Sequence, residues 1–141
     1  MNKADRPSIF TIAVISLIAI VQLILGVAFV LAPQQTGALL GLAPAPAWTD
    51  WMFSQFGART LGFAYGMALV LRDARRHAAW IRAMIVVQAI DWIGVMLALV
   101  EGKVTLAQVA TAPFFPVLFI IVLAIELRRQ RRLSSAPHPA G

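Results

Sequence analysis

The chain has 141 residues, 60% hydrophobic and 13% charged, with no cysteine, a formal net charge of +6 and a mean hydropathy of +0.82. Soluble domains carry about 25% charge. A chain this short has too little interior to hide so much apolar surface, so the composition excludes an ordinary water-soluble domain and makes the bilayer the expected solvent. The lack of cysteine excludes disulfide exchange, thiolate metal sites, iron–sulfur clusters and Cys-linked lipidation.

Four apolar runs are long enough to span, since about 20 residues at 1.5 Å rise cross the hydrocarbon core. They are residues 9–31, 51–71, 78–100 and 104–127. The first carries no charge and is too long for the apolar region of a signal peptide, and Pro46 after Ala43-Pro44-Ala45 blocks small-residue cleavage, so it reads as an uncleaved helix. Between the first two runs, residues 32–50 hold the apolar stretch Ala38 to Leu42. That stretch suits a short helix or turn lying on a membrane interface. Trp48 and Trp51 fit an aromatic belt on that side and Trp80 one on the other.

The second run is interrupted only by Arg59, and within it Ser54, Ala58, Gly62 and Gly66 form a small-residue stripe for helix packing. A tight turn from Arg72 to His77 makes the second and third helices antiparallel neighbours. The third run holds Arg82 and Asp91, and the fourth contains Pro113 and Pro116 and ends at Glu126. The prolines leave carbonyls near Val109 and Ala112 without helical donors, unless the last helix simply starts at Pro113. Glu126 is expected to form a local pair with Arg129 and Gln130. Residues 134–141 read as a disordered tail. An echo of Ile20-Val21-Gln22 and Gly26-Val27 in Val86-Val87-Gln88 and Gly94-Val95 fits either a duplicated helical hairpin or chance.

The expected fold is therefore all-α, an integral membrane four-helix bundle formed by residues 1–133. Of its 12 basic residues, Lys3, Arg6, Arg72, Arg75, Arg76, Arg82, Arg128, Arg129, Arg131 and Arg132 fall on one side. The positive-inside rule makes that side, and both termini, cytoplasmic. The same distribution accounts for the basic balance as arginines at a membrane surface, without nucleic acid as a partner.

Gln22, Arg59 and Asp91 sit in three different runs at about one depth, roughly 12–14 Å from the outer ends, and Gln88 lies one turn below Asp91. Counted from the 72–77 turn, the heights of Arg59 and Asp91 differ by about 1.5 Å. Ions at such depth are costly unless paired or functional. The polar layer therefore reads either as a buried Arg59–Asp91 pair fixing helix register, as the border of a small polar ligand cavity opening outward, or as a contact with a neighbouring subunit. Neither His77 nor His138 lies in a span, so nothing points to haem. The sequence contains no phosphate-binding loop, metalloprotease motif or nucleophile elbow. No metal site or particular cofactor is indicated.

Gly26 to Leu31 followed by Ala32-Pro33, then Leu40-Gly41-Leu42, then Ala58-Arg59-Thr60-Leu61-Gly62 with Gly66, resembles the small four-helix bacterial membrane proteins called DoxX-like. The pattern covers about the first 70 residues, and the rest is alike only in topology. The resemblance implies a compact bundle in the bacterial inner membrane, sometimes acting beside a partner enzyme, and transfers no catalytic residue. The functional expectation is a non-enzymatic accessory subunit or partner of a larger inner-membrane complex. The alternative is a binder or carrier of a small amphipathic ligand (a quinone, lipid or aromatic compound) at the Arg/Asp layer. A third reading, proton-transfer chemistry with Asp91 as base and Arg59 as electrostatic clamp, has no further support in the sequence.

Overall fold

A computed structural model describes residues 7–41, 46–110 and 112–134. Among them every regular element is helical: α1 (Ile9–Leu31), α2 (Pro33–Leu39), a 3₁₀ turn (Ala47–Thr49), α3 (Asp50–Arg72), α4 (Ala78–Val100), α5 (Leu106–Val109) and α6 (Phe115–Ser134). The expected tail lies, but for Ser134 at the end of α6, outside the described residues, as do Leu42 to Ala45.

The first three runs become helices within about one residue of their sequence limits, because local signals bound them. Ser8 caps α1, its hydroxyl accepting from the Thr11 amide. Pro33 starts α2 at a position that lacks a helical donor anyway, and Gly41, at φ +74, follows its end. The Gln34 amide donates to the Asp50 carboxylate, tying α2 to the start of α3. Asp73, past the end of α3, accepts from the Arg76 amide and closes the α3–α4 turn.

The fourth run is not one helix. Thr105 and Gln108 cap the single turn α5 reciprocally, Ala110 adopts φ +45, and α6 begins only at Phe115. Pro116 in its first turn lacks the donor an earlier start would need. The Pro113 carbonyl, ahead of α6, accepts from the Trp92 indole N–H at 2.9 Å, and the Val109 carbonyl accepts from the Ala112 amide.

α1 packs chiefly on α3 and α4 chiefly on α6, while α3 meets α4 less extensively. The four long helices share one core, built from Val14, Ile15 and Ile18 of α1, Met67 and Val70 of α3, Ile81 and Met84 of α4, and Phe119, Val122 and Leu123 of α6. This core lies toward the α3–α4 turn, here the turn end. At the opposite, loop end, no residue of α4 beyond Gln88 is buried. The α1–α3 pair stays closely joined there, through Phe29 against Phe53 and Phe56 at centroid distances of 5.6 and 5.2 Å.

Two of these helices, α1 and α4, are long and apolar enough to cross a membrane. α6 ends in a run with Glu126 and four arginines, and α3 carries Asp50, Arg59 and Arg72, so those two fall short of that mark.

Candidate functional site

The outer faces are apolar and several interior positions are polar. Leu17, Ile20, Leu23, Ile24, Val86, Ile90, Ile93 and Leu97 are exposed, while Thr11, Thr60, Gln88, Glu126 and Gln130 are buried. Only 28% of the most apolar stretch of α1 and 11% of that of α4 is buried, so neither behaves as the core helix of a soluble protein.

The small-residue stripe of α3 does not act as one surface. Gly57, outside the stripe, makes the close approach to α1: a Cβ there would lie 2.8 Å from the Gly26 carbonyl oxygen. Gly66 lies beneath the Trp80 ring of α4, which a Cβ would overlap. Ser54 is half-buried, Ala58 is exposed, and Gly62 faces open space. Trp80 thereby packs between α3 and α4.

Arg59 and Asp91 are both exposed and form no ion pair with each other, so the expected buried pair is not made. Their placement follows from helical phase. Arg59 precedes Gly66 by seven residues, two turns to within about 20°. Asp91 follows Trp80 by eleven, three turns to within about 20°. Each charge therefore stands on the helix face that makes the Gly66–Trp80 contact, but farther toward the loop end. The Trp80 indole fills the space where the two helices meet. Above it, Gly62 on α3 and Gly94 on α4 have no atom within 4 Å of an added Cβ. Arg59 and Asp91 thus stand exposed on the α3–α4 side of the protein, with open space over Gly62 and Gly94.

Gln22 and Gln88 point inward instead. The Gln88 amide donates to the Met84 sulfur at 3.6 Å, a weak bond. The Gln22 side-chain oxygen is buried without a partner. The four residues of the expected polar layer are thus split two and two, between the exterior and the interior.

A third polar group went unrecognised as interior. Glu126 is 3% exposed and accepts from Gln130 Nε2 at 3.2 Å and from the Arg129 guanidinium at 3.3 Å. The pairing matches the expected local one, but the carboxylate faces the bundle. The signal was available: Phe119, Val122 and Leu123 set the inward stripe of α6, and Glu126 and Gln130 continue it at spacings of three and four. Among the described residues no group of three or more His, Cys, Asp or Glu is placed to hold a metal ion.

Comparison with protein-family models, with curated proteins and with solved structures gave no match.

Proposed function

We propose that this chain is a polytopic protein of the bacterial inner membrane, with α1, α3, α4 and α6 as its spans and both termini cytoplasmic, and that it works by association rather than catalysis, as an accessory subunit. The turn end, with its arginines, is then the cytoplasmic end. The observation that carries the reading is that Arg59 and Asp91 are exposed part-way along helices whose exposed side chains are mostly apolar. A charged side chain facing lipid near mid-depth costs several kcal/mol, about 2.5–3.5 on insertion scales, and a complementary neighbour, a water-filled cavity or snorkelling toward the interface lowers that cost. A protein neighbour on the α3–α4 face meets the requirement. The DoxX-like resemblance, with members acting beside partner enzymes, agrees in kind.

The test is native electrophoresis of membranes solubilised in mild detergent, from cells expressing the chain at low level. The expected result is a species larger than the 15.3 kDa chain in its micelle, lost in Asp91→Asn. A membrane-extracted chain that runs as a monomer and is indifferent to Asp91→Asn overturns the reading.

The unpartnered Gln22 oxygen supports a second reading, a small amphipathic ligand with a hydroxyl or amide donor. Buried polar atoms rarely go unsatisfied. Native mass spectrometry of the wild type and Gln22→Leu tests it: a bound small molecule present only in the wild type supports the ligand, and identical apo spectra oppose it.

A further inference from the structure

We propose that the neighbour on the α3–α4 face is a second copy of this chain, related by a twofold axis along the membrane normal, with Arg59 of each copy donating to Asp91 of the other. The proposal rests on the membrane reading above and names the partner that reading requires.

The face is self-complementary in charge. It offers a guanidinium on α3 and a carboxylate on α4, both exposed and neither engaged with the other. Rotation about the membrane normal leaves every residue at its own depth. Reciprocal pairing in such a dimer therefore requires the two charges to lie at one depth, and their heights differ by only about 1.5 Å when counted from the shared turn. An unrelated partner would set no such condition on this chain's own pair of charges.

The same face permits close approach. Gly62 and Gly94, with open space over their Cα atoms, flank the two charges within a turn. Helices associate in lipid where small residues let backbones near each other and polar groups bond across the seam. Closure within one chain is opposed by Trp80, whose ring is wedged against Gly66 between the two helices. Two ion pairs formed across the axis would neutralise the charges that one chain leaves facing outward.

The absence of cysteine makes a specific test direct. Two differently tagged copies are expressed together, one carrying Arg59→Cys and the other Asp91→Cys. This mixed pair still retains one of the two reciprocal ion pairs, Asp91 of the first with Arg59 of the second. Mild oxidation of isolated membranes is expected to give a disulfide-linked heterodimer carrying both tags. Without cysteines, Arg59→Asp should lower the dimer fraction in mild detergent by about tenfold or more, and the exchanged pair Arg59→Asp with Asp91→Arg should restore it.

Protein that resists carbonate extraction from membranes, yet gives no mixed heterodimer, overturns the dimer. So does an exchanged variant, Arg59→Asp with Asp91→Arg, that leaves the dimer fraction as low as Arg59→Asp alone. Protein recovered in the soluble fraction overturns the membrane reading itself, so the two failures are told apart.

Discussion

Gly57 and Gly62 stand five residues apart on α3 and meet opposite surroundings. A methyl group at Gly57 would lie 2.8 Å from the Gly26 carbonyl oxygen, a backbone atom that can move only with its helix, whereas nothing lies within 4 Å at Gly62. Gly57→Ala should therefore cost about 1–3 kcal/mol through forced separation of α1 and α3. Gly62→Ala should be neutral or stabilise a detergent-solubilised monomer by up to about 1 kcal/mol, from helix propensity alone. Thermal melting followed by circular dichroism separates the two, and equal losses would contradict the α1–α3 contact. Glu126 gives a second contrast. Its carboxylate is buried and bonded to Gln130 and Arg129, so Glu126→Ala removes an acceptor from an enclosed polar cluster, at a cost of about 1–3 kcal/mol. Glu126→Gln keeps an acceptor and should lose less. The same melting assay decides, and a harmless alanine would mean the carboxylate does not depend on the interior of the bundle.

At the scale of elements, the segment that leads into α6 is tied to α4 by one side-chain bond. The Trp92 indole holds the Pro113 carbonyl, which a continuous helix would have used internally. Trp92→Phe keeps most of the ring packing and deletes this donor, so it should cost about 0.5–1.5 kcal/mol and speed amide hydrogen exchange around residues 112–118 while leaving α1 and α3 unchanged. Uniform acceleration in all helices would contradict a local tie. Helix limits in the first three runs were legible because charge, capping and turn residues coincide with the edges of apolar runs. The sequence leaves the start of the fourth open, because its prolines could stand inside a helix or before one; α6 begins at Phe115, with Pro116 in its first turn. The site was legible only in part. Residue counting fixes the depth of Gln22, Arg59, Gln88 and Asp91, but direction around a helix depends on which face its neighbours select. Nothing in an almost uniformly apolar helix such as α4 marks that face. Gly57 outcompeted the Ser54, Ala58 and Gly62 stripe for α1 because Gly26 opposes it, a fact of pairing rather than of pattern.

At the scale of the whole molecule, α1–α3 and α4–α6 are two close pairs that share a core at the turn end. Placed in a bilayer with the arginines inward, the shared core lies in the cytoplasmic half. Arg59 and Asp91 then stand exposed on the α3–α4 side, in the outer half, where a neighbour meets both. That arrangement depends on the loop end being outside and the turn end inside. Thiol labelling in intact cells tests this most directly, since the chain has no native cysteine to interfere. Ala47→Cys and Ala107→Cys lie in exposed parts of the loop end, and Arg76→Cys in the exposed turn. A membrane-impermeant maleimide should label the first two in intact cells and the third only after permeabilisation. Labelling of Arg76→Cys in intact cells, with Ala47→Cys and Ala107→Cys protected, would contradict the proposed orientation, and equal labelling of all three in a soluble fraction would contradict the membrane itself.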